Sequence, residues 1–160
     1  MKYGIKRKPL TKAQRQQVYD KTEGHCAYCG TLITIEQMQA DHIAAFEYAH
    51  IMEAQGNDPN SIDNYLPACR SCNYIKDTLP LEKFRNTIEY WPETLRRDSV
   101  TFRNALRFGI VKVIPQRVVF YFEKIGLQIT DYLSGLNEIY RQTYGRAKTI
   151  KEEVDNGVSV

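Results

Sequence analysis

Cys26-Ala27-Tyr28-Cys29-Gly30 and Cys69-Arg70-Ser71-Cys72-Asn73 are the two stretches on which the reading of this chain turns. They contain all four cysteines, in two pairs with the same two-residue gap. Two residues between thiolates let a tight turn aim both sulfurs at one centre, and two such knuckles complete a tetrahedral site for Zn²⁺. Gly30, directly after the first pair, suits the tight backbone of a knuckle. Two local disulfides and a redox pair are the competing readings. The N-terminal MKYGIKRKPL is basic with no apolar run behind it, so no secretory leader is expected and disulfides are disfavoured. A redox motif would need only one pair. Thirty-nine residues separate Cys29 from Cys69. A minimal zinc ribbon needs about 15–20, so the insert is expected to carry function.

Around this frame the chain is an ordinary globular one. It has 160 residues, 42% hydrophobic and 26% charged, which excludes collagen-like, low-complexity and wholly disordered classes. Its apolar runs fall far short of the roughly 20 residues that span a bilayer, so no membrane partner is expected and the cytoplasm is the expected compartment. The net charge of +3 is unevenly spread. Residues 1–22 carry five Lys and two Arg against Asp20, and residues 96–117 carry five Arg and Lys112 against Asp98. Between them, residues 31–69 hold six acids and neither Lys nor Arg. Two solvated faces would account for this pattern. So would a polyanion held by the flanks and a cation held by the centre.

Local signals place the elements. Residues 10–19 read as a helix with Thr11 as N-cap, and residues 37–43 as a short strand. Residues 44–55 are rich in helix formers and end at Gly56. A helix is expected from Cys72 onward, and another over 81–90, stopped before Pro92. Residues 110–114 and 118–122 are β-branched and aromatic around Pro115, which predicts a hairpin. Apolar positions from Ile129 to Val154, including Ala147 and Ile150, form a helical stripe, with 155–160 expected to fray.

The remaining chemistry sits in order along the insert: Asp41-His42-Ile43, then Asn64-Tyr65-Leu66-Pro67-Ala68 leading into Cys69, then Asn73 and Lys76. Together with the cysteine pairs, these residues resemble the HNH endonucleases, whose ββα-metal site is often buttressed by a four-cysteine zinc. The match covers about residues 15–85. Residues 81–85 and 120–124 also look similar to a bacterial and phage subgroup. The resemblance implies that His42 is the general base, that Asp41 and Asn73 hold the catalytic metal, and that Asn64 orients the His42 ring or its loop. Many relatives have His where this chain has Asn73. A carboxylate with an amide carbonyl is an all-oxygen pair that favours Mg²⁺ or Mn²⁺ over Zn²⁺. Lys76, three residues past Asn73, is expected to reach a phosphate, as are Arg70, Lys6, Arg7, Lys8, Arg96 and Arg97. His25 and His50 are read as non-catalytic.

The expected fold is therefore α+β. It comprises a basic arm and helix (1–22), a ββα-metal core with Cys26, Cys29, Cys69 and Cys72 on structural Zn²⁺ (23–90), and a basic segment, β-hairpin and C-terminal helix (91–160). The expected partner is DNA, most simply double-stranded, with dimerisation through the C-terminal helix as a further expectation. The competing function is a non-catalytic zinc module that binds nucleic acid.

Overall fold

The computed structural model describes residues 5–144. Two compact units divide them. One is built from the described residues as far as Leu81 together with Val119–Leu136, the other from Glu82–Val118 together with the described residues from Asn137 on.

The first unit contains the small sheet. Helix α1 (Lys12–Asp20) starts at Thr11, whose side chain accepts from the Gln14 amide while the Gln14 side chain accepts from Thr11 N. Such a capping box stabilises a helix end by about 1 kcal/mol. On α1, Arg15 is spent on structure: its guanidinium donates to the carbonyls of Ile35 and Met38, the segment that leads into strand β1 (Gln39–His42). A 3-10 turn (Phe46–Tyr48) and α2 (Ala49–Ala54) follow, then a second 3-10 turn (Ile62–Asn64) and β2 (Tyr65–Ala68). Strands β1 and β2 are antiparallel, with Asp41 opposite Leu66 and His42 opposite Tyr65. All four residues of β2 are buried. Helix α3 (Arg70–Lys76) completes the ββα unit. Val18, Met38, Leu66 and Phe120 are wholly or almost wholly buried in this unit. Each such side chain contributes roughly 1.5–3 kcal/mol through removal of apolar area from water. A smaller cluster joins Ala44 and Met52 to Tyr132 and Leu133.

The expected hairpin strands at 110–114 and 118–122 are not formed: residues 110–120 contain no strand, and α7 (Tyr121–Lys124) takes the last two residues of the second. The backbone around the expected turn is captured elsewhere. Val118 N donates to the Glu89 carboxylate, and Val118 O accepts from Arg85. Further along, Tyr121 N and Phe122 N donate to the carbonyls of Tyr28 and Ala27, in the first knuckle. A lone two-stranded hairpin is marginal in water, and Ile110 and Ile114 stand exposed with nothing to bury them.

The second unit is helical. Helices α4 (Leu81–Glu89), α5 (Trp91–Asp98) and α6 (Val100–Arg107) follow in close succession, with Pro92 in the first turn of α5 where its missing N–H costs nothing. Within this unit Arg85 pairs with Glu82 at 3.1 Å, both buried. Arg117 and Arg141 approach the same carboxylate. Helix α8 spans Ser134–Tyr144. Ile129 and Leu133, expected on the same helical stripe, precede α8 and are not helical, while Ala147, Ile150 and Val154, the expected fraying and much of the expected dimerisation helix lie outside the described residues. No helix among the described residues is long and apolar enough to cross a membrane.

Candidate metal centre and active site

Both cysteine pairs sit where backbone turns. Gly30 has φ +75°, a conformation that a side chain disfavours, and a Cβ there would meet Tyr121 Cδ2 at 2.9 Å. Gly30 N donates to Cys26 O, closing the first knuckle. The second knuckle is the start of α3: Cys69 is its N-cap, with Sγ accepting from Cys72 N at 3.4 Å. A helix N-terminus favours the thiolate form.

The four sulfurs lie within 4.8 Å of one another, and none is in a disulfide. Bonds of about 2.3 Å to a tetrahedral zinc put sulfurs about 3.8 Å apart. Cys29 Sγ and Cys69 Sγ are 3.9 Å apart. Their protonation fits the same role. The Cys72 thiol and the amides of Cys29, Cys69 and Tyr28 hold the Cys26 pKa down at about 4. Cys72, as the donor to Cys26, is pushed up, and burial raises Cys69. Four thiols this close cannot all ionise without a cation to offset their charges, and a divalent one does so. The cluster therefore fits a metal such as zinc.

Asp41 and His42 end β1, and strand alternation sends them to opposite faces. Asp41 is buried, and its Oδ2 takes two partners: Lys76 Nζ at 3.1 Å and the Tyr28 hydroxyl. Its Oδ1 has no hydrogen bond among the described residues. Burial raises the Asp41 pKa, while the Lys76 charge and the Tyr28 hydroxyl pull against it. Tyr28 is itself buried beside Asp41 and the Cys26 and Cys72 sulfurs, which keeps its phenol protonated and a donor.

His42 is 5% exposed, its ring packed on Tyr65 (centroids 4.2 Å) and edge-on to Phe46. Its Nε2 is buried without a hydrogen-bond partner. Burial first, then the Arg7 and Lys76 charges, lowers its pKa to about 4. The ring is accordingly neutral at physiological pH.

Asn64 is fully buried and clamps the chain just beyond His42. Its Oδ1 accepts from Ala44 N at 2.9 Å, and its Nδ2 donates to Ala44 O and Pro59 O. It therefore touches the loop rather than the ring. Asn73 is half-buried on α3, and its side chain makes no hydrogen bond among the described residues. The i, i+3 spacing sets it on the face from which Lys76 reaches Asp41.

Lys76 requires a correction. Expected at a phosphate, it is wholly buried, with Nζ on Asp41 and on His42 O at 2.7 Å, because it neutralises the Asp41 carboxylate. Lys6, Arg7, Lys8 and Arg70 are exposed in the first unit. Arg96 and Arg97 belong to the second, where they pair with Glu93 and Asp98. His25 flanks the first knuckle, its ring stacked on Tyr121 at 4.9 Å. His50 is exposed on α2. Tyr28 is the residue that spacing did not flag. Only its place inside a knuckle singled it out, and no local pattern pairs a hydroxyl with a carboxylate thirteen residues on.

No curated protein and no solved structure matches the chain. Residues 26–78 match the family model described as HNH endonuclease. That span begins at the first zinc-binding cysteine candidate and contains Asp41, His42, Asn64 and Asn73 in the order the sequence presents them. Over residues 26–78, about a third of its length, the chain is similar to the HNH endonuclease family.

Proposed function

We propose that this protein is a metal-dependent endonuclease that hydrolyses phosphodiester bonds of DNA. The observation that carries the reading is His42 Nε2, a buried and neutral imidazole nitrogen with no partner, one residue from a buried carboxylate. An unsatisfied buried polar atom costs about 1–3 kcal/mol, which a fold bears where a substrate group supplies the missing partner.

In this reading His42 Nε2 takes the proton of the attacking water. The water oxygen bonds to phosphorus as the bond from phosphorus to the 3′-oxygen breaks. A neutral ring at cellular pH is what a general base requires. Asn64 holds the loop after β1 and so the ring's placement. Asp41, through its unpartnered Oδ1, and Asn73, through its amide oxygen, would hold Mg²⁺ or Mn²⁺, which suit an all-oxygen pair. Bound there, the ion supplies Lewis-acid stabilisation of the departing oxygen. Tyr28 and Lys76 fix the carboxylate, and Zn²⁺ in the four-cysteine frame fixes the elements that present it. Exposed Lys6, Lys8 and Arg70 hold the phosphate backbone by charge.

Incubation with supercoiled plasmid tests the reading. Nicking or linearisation is expected with Mg²⁺ or Mn²⁺ and none with chelator. Retardation of the plasmid without cutting under any metal would instead favour a zinc module that only binds nucleic acid.

A further inference from the structure

We propose that Asn60, in the insert between His42 and Asn64, latches the N-terminal arm so that Arg7 binds a non-bridging oxygen of the scissile phosphodiester. This rests on the endonuclease reading above.

The Asn60 side chain spends both ends of its amide on the arm. Its Oδ1 accepts from Lys8 N at 2.8 Å, and its Nδ2 donates to Lys6 O at 3.2 Å. The two bonds bracket residue 7 and fix its backbone from a point more than fifty residues away in sequence. Asn60 is held in turn. Its own N–H donates to Asp58 Oδ1 at 2.9 Å, and the carbonyl of the preceding, fully buried Pro59 accepts from Asn64. Asn64 also binds Ala44, two residues past His42. Two asparagines thus connect the arm to the loop that follows the proposed base.

Arg7 is exposed and its side chain has no acceptor among the described residues. The hydrogen bonds between its two neighbours and Asn60, and from Pro59 through Asn64 to Ala44, tie its backbone to the loop that follows His42. A cation is needed there. The segment 31–69 has six acids and neither Lys nor Arg, so it repels an approaching phosphate, and Lys76 is consumed by Asp41. A guanidinium meets phosphate oxygens through two parallel N–H donors, and that geometry is worth most when its backbone is already fixed.

Single-turnover cleavage of plasmid by Arg7→Ala, Asn60→Ala and the double variant tests this, with melting curves as a check on folding. Arg7→Ala is expected to lower the maximal rate by roughly 100-fold. Asn60→Ala is expected to lower it about tenfold, and the double variant should be no slower than Arg7→Ala, because Asn60 acts through Arg7. Arg7→Lys should restore part of the rate. Asn60→Asp, which keeps the acceptor for Lys8 N and loses the donor, should fall between Asn60→Ala and wild type. Wild-type maximal rate in Arg7→Ala, with only weaker binding, would overturn the phosphate contact. Additive losses in the double variant would overturn the latch. A wild type that cuts under no metal condition would instead overturn the endonuclease reading beneath both.

Discussion

A carboxylate beneath the surface needs partners, and Asp41 has them on one oxygen only. Tyr28 and Lys76 converge on Oδ2, and in the proposed function Oδ1 is the oxygen that would take the metal. Replacing Tyr28 by Phe removes one hydrogen bond at nearly constant shape, so the fold should survive. Groups that orient a metal ligand typically carry 10–100-fold in affinity or activity, and Tyr28→Phe is expected to raise the Mg²⁺ concentration for half-maximal cleavage by about tenfold. An unchanged Mg²⁺ dependence would release Tyr28 from that role. His42 gives a pH prediction of definite sign. Its folded pKa of about 4 lies below the ordinary 6.5, so the unfolded chain binds the proton more readily. Stability should therefore be full above pH 6.5 and fall as pH drops towards 4, by up to about 3 kcal/mol from this residue. Urea midpoints without added Mg²⁺ should show wild type losing more than His42→Gln across that window, and equal losses would contradict the buried ring.

Among the elements, α3 has the most to do, and its two ends are built differently. At the start a cysteine serves both as N-cap and as a sulfur of the cluster. At the end Asp77 adopts φ 44°, ψ −119°, a conformation suited to glycine. Asp77→Gly should relieve that strain, partly offset by the greater freedom of glycine when unfolded, and raise stability by about 1 kcal/mol in a thermal melt. A lowered melting temperature would mean the Asp77 side chain makes a contribution that outweighs its backbone. Several elements were legible because their signals are local: the Thr11 cap, Gly56 at the end of the insert helix, and the period-2 strand through Asp41-His42. The hairpin was misread because β-branched and aromatic residues at 110–122 carry the strand signal, while their fate was decided by distant partners, the side chains of Glu89 and Arg85 and the carbonyls of the first knuckle.

At the scale of the molecule, spacing disclosed the cysteine frame, because a chelate ring imposes fixed intervals, whereas Asp41, His42, Asn64 and Asn73 were singled out by the family resemblance. What spacing could not disclose was burial. Lys76 reads as a cation on a helix face, and only the fold turns that face inward onto Asp41. The arm was likewise readable as basic, though not as tied to Asn60. The four-cysteine frame joins the turn after α1 to the start of α3, so its loss should be felt throughout the first unit. Cys69→Ser is expected to abolish zinc binding and to lower the melting temperature sharply, since metal binding and folding are coupled at such sites. Full zinc content with an unchanged melt would refute the cluster's role. The most direct test of the whole account is the single-turnover cleavage rate of supercoiled plasmid by wild type and His42→Ala in saturating Mg²⁺. The account predicts cleavage by wild type and a loss of two or more orders of magnitude in the variant, with DNA retardation retained. Equal rates in the two proteins would contradict it.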